Sequence, residues 1–133
     1  MTELIASCRI PVDPPQGLSA NALRHLSGWR RQAVVGLLRT ASAYAARASA
    51  PATPYAGPVS LSVTIARSKG RKRMDFDSAV TSTKPMTDGL TDAGWMKDDS
   101  QVVAMRIRQI RDLAGEGWID VAMRQAPDND VWP

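Results

Sequence analysis

Val59-Ser60-Leu61-Ser62-Val63-Thr64-Ile65 places an apolar residue at every second position, the period-two signature of a half-buried β-strand. The strand runs on into Arg67, Lys69, Arg71, Lys72 and Arg73 and then directly into Met74-Asp75-Phe76-Asp77, so a strand end, a basic loop and a pair of aspartates are contiguous. Upstream, Leu4 to Val12 is a short apolar run closed by Pro11, Pro14 and Pro15, which predicts a first strand leaving into a rigid turn. Ser19 or Asn21 can cap a helix in which Leu23, Leu26, Val34, Leu37, Leu38, Ala41, Tyr44 and Ala45 recur at helical spacing as far as Ala48. The Ala/Pro-rich segment from Ser49 to Pro58 breaks that pattern. Downstream, Ser78 to Ala93 reads as a helix that Pro85 must kink or start late. Val102 to Ile110 and Trp118 to Met123 read as two strands joined by a turn at Gly115-Glu116-Gly117. The order β-α-β-α-β-β predicts a small α/β (α+β) fold, a mixed sheet with two main helices. It forms one domain over residues 1–133 with a flexible tail at 127–133.

Charge is distributed unevenly. Residues 1–74 hold eleven Lys or Arg against Glu3 and Asp13, a balance of +9, whereas 75–99 carry −4 and the remainder −1. A basic first half would attract a polyanion such as nucleic acid. Cys8 is the single cysteine, which excludes an intrachain disulfide and a Cys-based zinc site and points to a reducing, cytoplasmic setting. Neither a charged leader with an apolar run nor a bilayer-length apolar stretch is present, so a soluble protein without membrane contact is expected.

Six of the thirteen acidic residues fall in 75–99, and all are aspartates: Asp75, Asp77, Asp88, Asp92, Asp98 and Asp99. If the backbone at Asp75-Phe76-Asp77 were extended, both carboxylates would point to one face and Phe76 into the core. Asp98-Asp99 precedes the next strand and would close the site if that strand neighbours the first. Three or four carboxylate oxygens suit Mg²⁺ or Mn²⁺, which prefer oxygen ligands and keep positions open for phosphate. An Asp-x-Asp alone is more often a solvated loop or a helix cap. Lys84 and Asp88, four apart on a helix, can form a plain surface ion pair, or Lys84 can face the site and stabilise charge developing on phosphate.

Three segments together resemble the central signature of the RusA family of Holliday-junction resolvases. They are Arg73-Met74-Asp75-Phe76-Asp77-Ser78, Lys84 through Asp88-Gly89-Leu90-Thr91-Asp92-Ala93-Gly94, and Lys97-Asp98-Asp99-Ser100-Gln101-Val102. The pattern there is Asp-x-Asp-Asn, a lysine, an Asp-x-Leu helix segment, Ala-Gly and Asp-Asp-x-x-Val, and the similarity covers about residues 8 to 124. The resemblance implies a homodimeric, Mg²⁺-dependent endonuclease of bacteria or phages that nicks four-way DNA junctions. It implies Asp75, Asp77 and Asp99 as metal-binding carboxylates, Lys84 as catalytic lysine, and Asp98 and Asp88 as flanking acids. This chain has Ser78 where the family has Asn. It also carries about three extra residues around Thr81-Ser82-Thr83 before the lysine; without that gap, Thr81 would take the lysine's place.

Arg67, Lys69, Arg71, Lys72 and Arg73 are expected as phosphate contacts, with a solvated turn as the plainer reading. Arg24, Arg30 and Arg31 could extend that surface or simply be solvated. His25 reads as a helix-surface residue, Trp29, Trp95 and Trp118 as core or dimer packing, and Cys8 as a small buried hydrophobe. Three functions stay open: the metal-dependent junction endonuclease, a branched-DNA binder that has lost catalysis, and a non-nuclease protein whose acidic loop holds a structural cation.

Overall fold

The computed structural model describes residues 2–14 and 27–127. Alternating apolar positions fold into β1 (Leu4–Ile10), β2 (Val59–Arg67), β3 (Val102–Arg111) and β4 (Trp118–Gln125), with helices α1 (Gly28–Ala46) and α2 (Phe76–Asp92) between them. The strands form one mixed sheet in the order β1-β4-β2-β3. β4 runs antiparallel to both β1 and β2, while β2 and β3 are parallel, joined through α2 as a βαβ unit. The expected α+β fold with two main helices is what the chain adopts.

One sheet face is apolar. Leu61, Val63 and Ile65 of β2 and Ile119, Val121 and Met123 of β4 are buried together with Ile10, Leu38, Met86, Leu90 and Trp95. The intervening residues Ser62, Arg106 and Arg108 are exposed on the opposite face. At the crossing of the two helices Gly89 has no room for a side chain: a Cβ there would lie 2.4 Å from the Arg39 carbonyl oxygen and 2.6 Å from Ser42 Cβ. The helices are further tied by a two-pronged Arg39–Asp92 pair at 2.7 and 2.9 Å.

Helix α2 ends in a Schellman turn. Gly94 takes φ +89°, its N–H donates to Thr91 O, and the Trp95 N–H donates to Leu90 O. This delivers Trp95 into the core, where its indole N–H donates to Ala46 O at the end of α1 at 2.8 Å.

Several sequence expectations give way. The helix expected from Ser78, or later because of Pro85, begins at Phe76 and runs through Pro85. Around that missing N–H donor, the Ser82 and Thr83 hydroxyls donate to the carbonyls of Ala79 and Val80. β3 and β4 are not hairpin partners, because β2 lies between them and residues 112–117 cross its end. The loop at 112–117 is organised by Asp112, which accepts from the N–H groups of Ala114, Glu116 and Gly117. Trp29 is 70% exposed and so lies outside the core, one of the two placements, core or dimer packing, expected for it. Cys8 is half-buried against the core. The caps Ser19 and Asn21, together with Arg24, His25 and most of the expected tail, lie outside the described residues.

Candidate active site

Asp75 and Asp77 sit at the N-terminus of α2, not in an extended segment. Asp75 is the N-cap and its carboxylate accepts the Ser78 N–H at 2.8 Å, a standard way to satisfy a free donor of the first turn. The Ser78 backbone and hydroxyl bonds hold its carboxyl below the usual range. Phe76 does not turn into the core: it is 80% exposed, because in a helical first turn the residue between the two aspartates faces outward. The approach to this turn is fixed by Gln109 of β3, whose amide oxygen accepts from Met74 N at 2.8 Å while its amide nitrogen donates to Met74 O at 2.9 Å.

The second acidic pair is held by another glutamine. Gln101 donates to the carbonyls of Tyr55 and Gly57 at 2.7 and 2.8 Å and accepts from the N–H groups of Lys97 and Asp98 at 2.8 and 3.0 Å. Asp98 caps a short 3-10 turn (Asp99–Gln101) and accepts from the Ser100 N–H and hydroxyl, which lower its carboxyl's pKa. Asp99, in that turn, meets Lys84 of α2. The Lys84 ammonium donates to Asp99 and lies 3.1 Å from Asp88. Both carboxylates raise its pKa, Asp99 more than Asp88, so it is held as a cation. The groove around this contact, about 390 Å³, is lined by Val80, Thr81, Thr83, Thr87, Val102 and Met105.

Sequence spacing and helix geometry together explain how these parts relate. Asp77, Thr81, Lys84 and Asp88 fall at offsets of four, seven and eleven, one stripe of α2. Lys84 is two turns, about 10 Å along the axis, from Asp77. The three residues noted as extra keep the lysine on the same stripe but add about 4.5 Å to that gap. Thr81, the alternative lysine position, lines the same groove.

The basic loop is less uniform than its composition. Arg67 is buried, with its Nη1 2.9 Å from Asp13. Arg71 reaches the same carboxylate at 3.4 Å. Lys69, Lys72 and Arg73 are exposed. Arg67 therefore departs from the expected surface contact: it shares the parity of Val63 and Ile65 and so points to the buried side of β2.

A model of the endodeoxyribonuclease RusA family matches residues 14–123. The chain belongs to the RusA family. No curated protein gives a significant match. Membership makes this chain an endodeoxyribonuclease by family, one whose resolvases act on Holliday junctions and depend on divalent metal.

As for that metal in this RusA chain, the residue types suit a hard cation, since aspartate oxygens are the ligands such ions prefer. Their placement does not fit. Among the described residues no three His, Cys, Asp or Glu side chains come together as a metal-holding group. Asp75 is engaged as a cap, Asp98 by Ser100, and Asp99 by Lys84.

Sequence reasoning missed Gln101 and Gln109, which fix the two acidic segments. Gln109 carried a usable signal, being a polar residue two positions after Ile107, on the parity of β3 that faces the core. Gln101 carried none beyond its place in the motif.

Proposed function

We propose that this chain is a divalent-cation-dependent endonuclease that binds four-way or related branched DNA and resolves it by paired nicking, as a homodimer with one site per subunit. The observation that carries this reading is the meeting of Lys84 with Asp99. That contact joins the middle of α2 to the turn ahead of β3, on the stripe that begins at Asp77. Mg²⁺ is the proposed ion, with Mn²⁺ as substitute, and Asp75, Asp77 and Asp99 are the proposed ligands, flanked by Asp98. These are assigned by residue type and family pattern; apart as the carboxylates stand, no step is drawn through the ion.

What the chain's own groups do can be derived. Lys84, protonated and anchored between Asp99 and Asp88, presents a fixed positive charge to a phosphodiester entering the groove. Charge developing on the phosphate during hydrolysis is stabilised by such a preorganised donor. The ammonium is not a proton acceptor in this state, so its role is electrostatic. Lys69, Lys72 and Arg73, exposed on the loop after β2, hold the strand by its phosphates in this reading, and the site of action is the cytoplasm of a bacterial or phage-infected cell.

A second reading, a branched-DNA binder without catalysis, is favoured by the separated carboxylates and by Ser78 in the place of Asn. Incubating the purified protein with a labelled four-way junction and a linear duplex, with Mg²⁺, Mn²⁺ or EDTA, separates the two. Symmetrical nicks on the junction alone, lost in EDTA, support the nuclease. Tight, salt-sensitive junction binding with no nick under either metal supports the binder.

A further inference from the structure

The C-terminal ends of β2 and β3 carry a cluster of which the proposed function uses Arg73 alone. Arg67 and Arg111 are register partners on the parallel pair, so their side chains leave the sheet on the same face. The loop after β2 adds Arg71 and Arg73, and Gln109 and Ile110 complete a pocket of about 160 Å³. At ~30 Å³ per water molecule, that is room for one tetrahedral oxyanion with some water.

Four guanidinium groups line this pocket, and among the described residues a single carboxylate answers them. The Asp13 side chain is buried, contacts Arg67 and Arg71, and accepts the Ser68 N–H at 3.1 Å and its hydroxyl at 2.6 Å. Pro14 O takes one further N–H each from Arg67 and Arg71. Among the described residues, Arg73 and Arg111 form no ion pair. Arg67 is only 7% exposed, yet its Nε has no hydrogen-bond partner. A buried donor left unpaired costs free energy, as does a group of like charges short of counter-charge. Burial lowers the Arg67 pKa, the Asp13 charge offsets part of that, and the Arg71 charge lowers it further.

We propose that this pocket binds a phosphodiester group of the DNA strand, gripped by Arg73 and Arg111 over the buried Arg67. Its place in the fold gives the contact a purpose. Gln109, one wall of the pocket, is also the residue that clamps Met74, whose next neighbour is Asp75. A phosphate seated there sets the register of the strand relative to the start of α2. That the ligand is DNA rests on the nuclease reading; that the pocket takes an oxyanion does not.

The test measures binding in EDTA, so loss of cleavage cannot be confused with loss of the pocket. Dissociation constants for a labelled junction are measured across a salt series for wild type, Arg111→Gln, Arg73→Gln and the control Arg47→Gln, an equal charge change at the exposed end of α1. The expected result is roughly tenfold weaker binding for each pocket variant, with the salt slope falling by about 0.9 for each phosphate no longer neutralised, and little change for the control. Equal effects in pocket and control variants would overturn the proposal. In a second arm the Arg67 Nε–H resonance is followed by NMR as a short duplex or inorganic phosphate is added. A shift that saturates with the duplex and needs far more inorganic phosphate is expected. Saturation by inorganic phosphate that the duplex fails to compete away would make this a small-anion site and overturn the DNA assignment. If wild type never cleaves but these binding results hold, the nuclease reading fails and the pocket stands.

Discussion

Gly89→Ala is a one-methyl change whose sign is decided by the helix crossing. In an open helical position, alanine is favoured over glycine by about 1 kcal/mol through backbone entropy. At Gly89 the added Cβ would sit 2.4 Å from Arg39 O, 2.6 Å from Ser42 Cβ and 2.9 Å from Ala43 N. Two of these are backbone atoms, which cannot rotate away. Ordinary contact begins near 3.4 Å, so α1 would have to retreat by 3.4 − 2.4, or 1.0 Å. Such a retreat loosens Leu38 against Met86 and Leu90 and strains the Arg39–Asp92 bridge. Overpacking of this kind costs about 1–3 kcal/mol or more, so after the helix-propensity gain the variant is expected to lose about 1–2 kcal/mol. For a chain of 133 residues that corresponds to roughly 4–8 °C in melting temperature. The paired control is Gly36→Ala on α1, where nothing lies within 4 Å and a gain of about 0.5–1 kcal/mol is expected. Thermal and urea unfolding by circular dichroism read both. A Gly89→Ala variant as stable as wild type, or more so, would refute the close crossing.

Removing the buried carboxylate in Asp13→Ala strands Arg67 without its partner, and unfolding in urea should show a loss of about 3–5 kcal/mol; a change below about 1 kcal/mol would mean that the pair is solvated. The Asp112 carboxyl is held below its usual range, most by the Gly117 N–H and then by those of Ala114 and Glu116. A lowered folded pKa contributes stability above the unfolded value of about 3.9 and loses it as pH falls further, so the gap between wild type and Asp112→Ala should be constant above about pH 5 and close below about pH 4. A gap independent of pH down to about pH 2 would contradict the carboxylate's role. Burial, with the Asp120 charge adding to it, pushes the Cys8 thiol up to about 11, so iodoacetamide should label it far more slowly in the folded protein than in urea at about pH 8; equal rates would be the contrary result.

Much of this molecule could be read from the chain because its strands and motifs are strongly patterned. The alternation at 59–65 located β2, and β3 is its neighbour, but the two run parallel, so Asp98-Asp99 ahead of β3 lies beside the start of β2 and not its end, and adjacency does not close the site on Asp75 and Asp77. The failures have local causes. Asp75-Phe76-Asp77 admitted both an extended pair of site carboxylates and the plainer helix cap, and capping prevailed, with Phe76 left exposed. Pro85 could not be weighed from sequence because the Ser82 and Thr83 hydroxyls that serve nearby carbonyls are visible only once the helix is formed. The Gly115-Glu116-Gly117 turn signal was real, but a turn does not say which strands it joins as neighbours, and β2 enters between them. Arg67 was grouped with its loop by charge, although its parity with Ile65 already placed it inward. At the site, Lys84 forms the i,i+4 ion pair with Asp88 that spacing allowed and also meets Asp99, a contact spacing could not foresee; the distance from Asp77 follows from residues counted along α2.

Asp77, Lys84 and Asp99 are held to serve one hydrolytic site. The most direct measurement is single-turnover nicking of a four-way junction in Mg²⁺ by wild type, Asp77→Asn, Lys84→Gln and Asp99→Asn, with junction affinity measured alongside in EDTA. Cleavage is predicted to fall by about 10²–10³-fold or more in each variant while affinity stays within a few-fold of wild type. Wild-type cleavage by Asp77→Asn or Lys84→Gln would contradict a shared site.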